Sequence, residues 1–475
     1  MDYIQFISKY IEDNKSEFIH VSDKIWEYAE PRFCEHQSSS LQMNYMKKRG
    51  FRIKSNLAGE ETAFIAEFGS GKPVIAFLGE FDSLSGLSQV ADSTKQCPII
   101  LNGEGHGCGH NLLGTASLAA TVALKEYMLE NNIPGSIRYY GCPAEENAGG
   151  KAYLVRDGYF DDCDIALTWH PSYINKVANN GSLSNFRVFF TFHGISAHAA
   201  GAPHLGRSAL DAVELMNVGV NYMREHMIDE ARVHYAITNS GGTAPNVVQS
   251  EAQVLYAIRA PKVHQVKELY DRVCKIAQGA ALMTETTVEI KQVAAYSDYI
   301  ANPVVSEQLE KHLNSMCPID YTKEELNYAQ KFKEVITDLD KNSLKPIIIN
   351  EFGKELGEIM YQLPILTAVA ENDKISSGKG STDVGDVSWV VPTGQINVTC
   401  WAAGTAGHSW QAVAQGKSSI AHKGLLTAAK IMAMAGFDFL IDPDLVSRAN
   451  EKWLQSLDGQ TYPNPLPSNA KPEIW

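Results

Sequence analysis

The 475-residue chain has no excess of basic residues. Lys and Arg number 41 against 55 Asp and Glu, which gives a formal net charge of −14 at pH 7. A nucleic-acid-binding surface needs clustered positive charge to displace the counterions around phosphates. The charge balance therefore excludes a nucleic-acid partner, and we expect a small-molecule substrate or a soluble protein partner.

Long apolar runs and paired cysteines are also missing. No stretch approaches the roughly 18 uninterrupted apolar residues of a membrane span, so no membrane partner is expected. Residues 1–18 carry acids where a secretory signal carries Lys or Arg. The eight cysteines are scattered without paired spacing, which in a chain of this length is typical of reduced thiols. We therefore expect a cytoplasmic protein.

Several catalytic signatures are absent as well. The chain has no C-x-x-C pair, no H-E-x-x-H motif, no G-x-S-x-G nucleophile motif and no strand–G-x-G-x-x-G–helix unit. These absences argue against a zinc finger, a metalloprotease with two helical histidines, a serine hydrolase and a dinucleotide-binding enzyme.

Strands and helices alternate in the first part of the chain. A starting helix is predicted over residues 2–30, where the apolar spacing is partly helical. Strand, helix, strand, helix and strand are then predicted over 72–82, 111–130, 136–142, 149–158 and 164–170. This order predicts an α/β domain with a mixed, mostly parallel sheet flanked by helices, and functional sites at the carboxyl ends of its strands.

A second unit is predicted over residues 184–298. Its elements follow the order β-α-β-β-α-β of the ferredoxin-like split motif, over 186–194, 206–225, 232–239, 251–260, 264–282 and 286–295. We expect this unit to be inserted into the larger domain, which would comprise residues 1–183 and 299–475. Within the larger domain, residues 303–375 are predicted to be mostly helical.

The strongest local feature is the segment GEGHGCGHN, residues 103–111. Four alternating glycines cost backbone entropy, so they indicate a loop with unusual backbone angles or one packed closely around something. Cys108 and His110 could both face one ion, because Gly109 between them permits the turn. The structural alternative is a glycine-rich helix entry with a buried thiol, and this segment alone does not decide between them.

Four further candidates are individually weak. Glu145 and Glu146 follow a predicted strand, where one carboxylate could ligate a metal and the other take a proton from water. Two adjacent acids are more often a solvated helix N-terminus. His170 ends the next predicted strand and His408 lies in a glycine-flanked loop, yet a lone histidine is more often structural.

Taken together, the positions of these residues favour the metal-binding interpretation over the structural one. The Cys108–His110 loop, the Glu145–Glu146 pair and His170 follow one another at the expected carboxyl edge of a single sheet. Thiolate, imidazole and carboxylate suit zinc or manganese and would be unusual for calcium or magnesium. Five ligands exceed what one tetrahedral zinc needs, so the sequence predicts two divalent metal ions.

Several motifs of the chain together resemble those of a known family. GEFDSLSGL, GHGCGHN, PAEE, a strand-end WHP, GISAHAA and a late glycine-flanked histidine are similar to motifs of the dinuclear metallopeptidases related to glutamate carboxypeptidase. More narrowly, they resemble the amidohydrolase branch that uses Cys-Gly-His. The resemblance spans nearly the whole chain and is weakest over 303–375 and after about residue 440.

The resemblance implies a role for each matching residue. The metal ligands would be Cys108, His110, Glu146, His170 and His408. Glu145 would be the general base, Asp82 would hold the metal loop, and His198 would polarise the scissile carbonyl across a dimer. Asn246 and Arg259 would bind the substrate carboxylate, for which the planar two-donor guanidinium is independently suited. Without the family resemblance, His198 would be interpreted more simply as a loop histidine and Arg259 as a solvated arginine at a strand edge.

The implied activity is hydrolysis of an amide between an acyl group and an amino acid, with p-aminobenzoyl-glutamate preferred. The inserted unit would form a lid and a homodimer interface. Two alternatives stay open. One keeps the catalytic groups but acts on other N-acyl amino acids or dipeptides. The other is a non-catalytic subunit that binds metal and supports a homologous partner subunit.

Overall fold

The structure is a computed structural model that describes residues 1–179, 181–371 and 380–474. Its strands are β1 Arg52–Leu57, β2 Glu60–Ser70, β3 Val74–Glu80, β4 Gly135–Cys142, β5 Ile165–Ser172, β6 Lys176–Val177, β7 Ser184–His193, β8 Arg232–Asn239, β9 Glu251–Ala260, β10 Thr287–Tyr296 and β11 Thr393–Thr399. Its α-helices are α1 Tyr3–Asp13, α2 Lys15–Tyr28, α3 His36–Lys48, α4 His110–Asn131, α5 Gly150–Arg156, α6 Ala209–Met223, α7 Val263–Thr284, α8 Pro303–Met316, α9 Lys323–Glu334, α10 Asp338–Phe352, α11 Lys354–Gln362, α12 Val384–Ser388, α13 Trp410–Gln415, α14 Ser419–Ile441 and α15 Pro443–Leu457.

The larger sheet has seven strands in the order β1-β2-β4-β3-β5-β11-β6. Its four central strands, β4, β3, β5 and β11, pair in parallel, whereas β1, β2 and β6 are joined by antiparallel pairings. The sheet is therefore mixed as predicted, and the parallel part lies at its centre. Strand β3 is buried along its whole length, which explains its continuous apolar sequence.

Two long helices cover one face of this sheet and form its main core. Helix α4 packs on α14, and both are buried along most of their length. Among the described helices, only α14 is long and apolar enough to cross a membrane, but 83% of its most apolar window is buried inside the fold. Its apolar sequence is therefore accounted for by packing against the sheet and α4.

Gly109 allows the chain to turn from the glycine-rich loop into α4. Its φ of 76° lies in the left-handed region that glycine adopts without strain. A side chain here would also approach Trp401 and Pro171 to within 3.0 and 3.1 Å. The predicted role of this glycine, which is to let Cys108 and His110 face one point, agrees with both observations.

The second sheet has four strands in the order β10-β7-β9-β8, all antiparallel. Helices α6 and α7 pack on one face of it and on each other. This is the β-α-β-β-α-β arrangement of the ferredoxin-like motif that the sequence predicts. Its apolar residues form a core cluster largely separate from that of the larger sheet.

The starting region differs from the prediction of one helix over 2–30. Two helices, α1 and α2, meet at Asn14, whose side-chain amide donates to the carbonyl oxygen of Tyr10 at 2.8 Å. Asparagine competes in this way with the backbone for hydrogen bonds and favours helix ends. The prediction for 303–375 is confirmed over the described residues, since helices α8 to α11 occupy most of it.

Candidate metal centre

The candidate site lies where the parallel strands of the large sheet end. Strand β3 ends at Glu80, two residues before Asp82, and β4 ends at Cys142, three residues before Glu145. His170 lies near the end of β5, opposite Asn397 of β11. Parallel strands present their carboxyl ends at one edge, so residues that are far apart in sequence meet there.

Cys108 and His170 face each other through atoms that can bind a metal. The Sγ atom of Cys108 lies 3.2 Å from Nε2 of His170. The other ring nitrogen of His170, Nδ1, lies 2.7 Å from the carbonyl oxygen of Pro171. Because only a protonated Nδ1 can donate to that carbonyl, the lone pair of Nε2 points toward the thiol.

His110 is oriented in the same manner by Asp82. Its Nδ1 donates to Oδ1 of Asp82 at 2.8 Å, which leaves Nε2 as the free ring nitrogen. Nε2 is fully buried and has no hydrogen-bond partner in the described part of the chain, although Oε2 of Glu80 lies 3.2 Å away and oxygens of Glu145 and Glu146 each lie 4.0 Å away. A buried imidazole nitrogen facing three carboxylates is suited to a shared cation.

The adjacent carboxylates Glu145 and Glu146 have opposite protonation tendencies. Burial raises the pKa of Glu145 well above its usual value, and the nearby charges of Glu80 and Glu146 add to this effect. Burial also favours the protonated form of Glu146, but the hydrogen bond to His408 and the charge of His110 outweigh it and hold its pKa at about 2. Such a split is typical of a pair that divides acid–base and charge-binding work.

His408 joins this cluster from a loop near the other end of the chain. Its Nε2 lies 3.4 Å from Oε2 of Glu146, and its backbone N–H donates to the carbonyl oxygen of Gly107 at 2.9 Å. The side chain is 57% exposed, unlike the other histidines of the site. The backbone bond ties the late loop directly to the Cys108 loop.

The donor atoms fit divalent metal ions. Among the described residues, three groups of side chains each bring their donor atoms within 4.8 Å of one another, namely Cys108–His110–His170, Cys108–Glu146–His408 and Glu80–His110–Glu145. Because Cys108 and His110 each belong to two groups, the clusters are continuous and have enough donors for two ions. The buried Nε2 of His110 and Oε1 of Glu146 have no hydrogen-bond partner in the described chain, which a bound cation would supply.

A buried lysine forms ion pairs with two carboxylates next to the donor cluster. The sequence patterns did not identify this residue. The Nζ atom of Lys151 lies 2.5 Å from Oε1 of Glu80 and 2.6 Å from Oδ1 of Asp383, and the lysine side chain has no exposed surface. The Lys151 backbone N–H also donates to Asp383 at 2.9 Å. This pairing fixes the carboxylate of Glu80 beside His110.

A cavity of about 420 Å³ opens over these residues and extends to the four-stranded sheet. Its lining includes Cys108, both glutamates, His170 and His408 on one side. Arg259 of β9 lines the other side, so the structure brings this predicted substrate-binding residue into the same cavity as the donor groups.

His198 and Asn246 lie elsewhere. Neither lines the cavity among the residues that the structure describes, and both are exposed. They are held close together, because the Ala199 N–H donates to the carbonyl oxygen of Asn246 at 3.0 Å. The backbone N–H groups of Ala200 and Gly201 donate to Nδ1 of His198, so its proton is carried by Nε2.

Comparison with known proteins agrees with this geometry. The family description "Peptidase dimerisation domain" matches residues 180–284, which cover most of the four-stranded unit. A subunit of the p-aminobenzoyl-glutamate hydrolase of Escherichia coli (strain K12) is 44% identical over 476 aligned residues, which cover 98% of each chain. The Xaa-Arg dipeptidase of Mus musculus is 27% identical over 91% of this chain and 88% of its own.

A solved structure shares the fold. A dinuclear metal-binding peptidase of the M20 family from Bacillus subtilis has a TM-score of 0.54 at 15% identity, and the match covers 90% of this chain and 99% of that one. The 44% identical relative, the fold and the donor groups together define a metal-dependent hydrolase with an inserted dimerisation domain.

The chain belongs to the M20 family of metallopeptidases and amidohydrolases, and within it to the relatives of p-aminobenzoyl-glutamate hydrolase.

Proposed function

We propose that the chain hydrolyses p-aminobenzoyl-glutamate to p-aminobenzoate and glutamate. The observation that carries this proposal is the buried set of thiol, imidazole and carboxylate donors in one cavity with Arg259. The 44% identity to the Escherichia coli p-aminobenzoyl-glutamate hydrolase chain supports the choice of substrate. We assign residues 1–183 and 299–475 to the catalytic unit and 184–298 to a lid and dimerisation unit.

Five residues would hold two divalent ions: Cys108, His110, Glu146, His170 and His408. The mixture of sulfur, nitrogen and oxygen donors suits zinc or manganese. Such ions supply Lewis acidity, which lowers the pKa of water and polarises a carbonyl oxygen. Asp82 keeps Nε2 of His110 directed into the cluster by accepting a hydrogen bond from Nδ1.

Glu145 is the proposed general base. Its carboxylate lies in the cavity, and burial beside other carboxylates raises its proton affinity. In its ionised form it is therefore a strong enough base to take a proton from the attacking water. It then delivers this proton to the leaving nitrogen of the amide. Arg259 orients the substrate by pairing its guanidinium with the carboxylate of the amino acid.

His198 and Asn246 would act in the site of a second copy of the chain. Both lie on the dimerisation unit but outside the cavity of their own protomer. The Nε2–H of His198 can donate to a carbonyl oxygen, because its Nδ1 already accepts two backbone hydrogen bonds. This arrangement requires a homodimer, which we propose to form through residues 184–298 in the cytoplasm.

A second candidate function is hydrolysis of other N-acyl amino acids or dipeptides, supported by the similarity to Xaa-Arg dipeptidase. An arginine product fits this cavity poorly, because Arg187 and Arg259 already line it with positive charge. A third candidate is a non-catalytic subunit that requires a homologous partner. The presence of Glu145 among the donor groups disfavours it, because a scaffold needs no base.

The test is a substrate panel with the isolated chain. p-Aminobenzoyl-glutamate, an N-acyl amino acid, an indole-acyl conjugate and an Xaa-Arg dipeptide are assayed in parallel by product release. We expect p-aminobenzoyl-glutamate to have the highest kcat/KM without any added protein. Turnover restored only by a second, homologous subunit would favour the scaffold, and a faster dipeptide would favour the second candidate.

A further inference from the structure

Where the four-stranded sheet lines the cavity, it contributes two arginines and an asparagine. This is more positive charge and more hydrogen-bonding capacity than one substrate carboxylate requires. Arg187 and Asn185 of β7 line the cavity together with Arg259. Asn185 lies directly opposite Arg259 across the β7–β9 ladder, and Arg187 lies two residues further along β7. Since side chains two apart on a strand share a face, all three face the cavity from one side of the sheet.

Within the part of the chain that the structure describes, neither guanidinium group has an acidic partner. No ion pair within the described residues includes Arg187 or Arg259. The Nε atoms of both are buried and have no hydrogen-bond partner among residues 1–179, 181–371 and 380–474. Their mutual repulsion contributes, after burial, to lowering the pKa of Arg259. Both side chains are partly buried, and a partly buried cation without a counter-ion is costly, so the arrangement is suited to an anionic ligand.

Asn185 supplies a second, independent observation. Its side chain is only 1% exposed, yet neither Oδ1 nor Nδ2 has a hydrogen-bond partner in the described chain. A buried amide with both polar atoms unpaired costs free energy unless a ligand or water completes it. Its position opposite Arg259 puts this unpaired donor next to the proposed carboxylate site.

Arg187 has one structural task as well. It donates to Oδ1 of Asn147 and, at 3.2 Å, to the carbonyl oxygen of Glu146, so it braces the loop that carries the glutamate pair. These bonds leave its Nε unused. The guanidinium can therefore brace the loop and still donate to a ligand in the cavity.

We infer that Arg187 and Asn185 form a second carboxylate subsite, which binds the acidic side chain of the amino-acid product. Arg259 would then bind the main carboxylate while Arg187 and Asn185 bind the other one. The substrate class is an N-acyl dicarboxylic amino acid, such as an acylated glutamate. This inference rests on the proposed function and adds to it the residues that select for an acidic side chain.

The test compares p-aminobenzoyl-glutamate with p-aminobenzoyl-glutamine, which has nearly the same shape but lacks the second carboxylate. We expect the wild-type chain to favour the glutamate compound by about 100-fold in kcat/KM, as for loss of a buried charged hydrogen bond. In Arg187→Gln, the KM for the glutamate compound should rise about 10- to 100-fold. Hydrolysis of the glutamine compound should fall far less, so the preference should disappear.

Two further variants separate binding from structural damage. Asn185→Leu should also raise the KM for the glutamate compound, while its melting temperature should not fall, because the amide that it removes has no hydrogen-bond partner among the described residues. Arg232→Gln is the matched control. Arg232 is an exposed arginine of β8 whose guanidinium donates to backbone carbonyls of its own loop, and this change should leave the preference intact.

The outcomes are distinct for the two proposals. If the wild-type chain hydrolyses neither compound, the proposed function fails. If it hydrolyses both with equal kcat/KM, the proposed function stands and the second subsite is wrong. An Arg187→Gln variant that lowers kcat for both compounds equally, with unchanged KM values, would show that Arg187 only braces the glutamate loop and would overturn its assignment.

Discussion

Asp82 uses both of its carboxylate oxygens to connect two parts of the metal centre. Oδ1 accepts from Nδ1 of His110 at 2.8 Å, and Oδ2 accepts from the backbone N–H of Glu146 at 2.9 Å. One buried side chain therefore sets the direction of an imidazole ligand and the position of a carboxylate ligand. Neither bond can be lost without freeing one of the two loops.

Replacement of Asp82 by asparagine should therefore weaken metal binding. The amide has one acceptor oxygen, so either His110 or the Glu146 N–H loses its partner. We expect metal affinity to fall about 10- to 100-fold, as is typical when a residue that orients a ligand is removed. Competition with a chromogenic chelator measures this. An unchanged affinity would show that Asp82 does not orient His110.

Cys108 should be needed for full metal occupancy, because two of the three donor groups include its sulfur. We expect Cys108→Ala to reduce the metal content by at least one ion per chain, measured by elemental analysis after dialysis. Cys97→Ala, which removes an exposed thiol elsewhere in the chain, is the matched control and should keep the wild-type content. Equal metal content in both variants would contradict the role of Cys108.

Glu145 should be required for turnover but not for holding the metals. In Glu145→Gln the side chain keeps its shape and loses its ability to accept a proton, so kcat should fall about 100- to 10,000-fold. Metal content should stay at the wild-type level, and the exposed Glu130→Gln serves as control. Near wild-type turnover in Glu145→Gln would mean that another group is the base.

Mixed dimers can show whether His198 acts in the partner's site. Glu145→Gln and His198→Ala chains should each be inactive alone. When they are refolded or exchanged together, each mixed dimer would contain one site with an intact Glu145 and an intact His198 from the other chain. We expect recovery of about a quarter of wild-type activity at equal mixing. No recovery, with mixed dimers demonstrated by mass, would place His198 in its own protomer's site, and full activity of His198→Ala alone would place it outside catalysis.

The buried Asp386 should make stability depend on pH. Burial raises its pKa from 3.8 to about 7, despite hydrogen bonds from Ser297 and Tyr462. Between these values the folded chain keeps a proton that the unfolded chain releases, so this group's contribution to the free energy of unfolding falls as pH rises through that window. Above pH about 7 it is constant. Denaturant titrations from pH 4 to 8 should show a weaker decline for Asp386→Asn than for wild type, and equal slopes would contradict the assignment.

The sequence predicted the parts of the site that follow individual strands. Cys108, His110, Glu145, Glu146 and His170 each follow or end a strand or loop with a clear local pattern, and the structure brings their donor atoms together. The four-stranded unit was predictable for the same reason. The apolar residues of its strands and of its two helices recur with a regular spacing that is visible in the local sequence. The break at Asn14 was missed, since the apolar spacing continues across it.

Other parts depend on contacts that no local pattern records. Lys151 is 71 residues from Glu80 and 232 from Asp383, and only the folded sheet brings the three together. The strand register that puts Asn185 opposite Arg259 is likewise set by pairing between distant segments. A search for charged residues inside predicted buried elements would have flagged Lys151, because a buried lysine requires an acidic partner.

Hydrolysis by this chain should require metal held by the cluster around Cys108 and His110. The most direct measurement is the rate of p-aminobenzoate release from p-aminobenzoyl-glutamate by the isolated chain. It is made after chelator dialysis and again during titration with zinc or manganese. We predict no turnover in the metal-free chain and recovery that saturates near two ions per chain. Full turnover by a chain shown to be metal-free would contradict the claim.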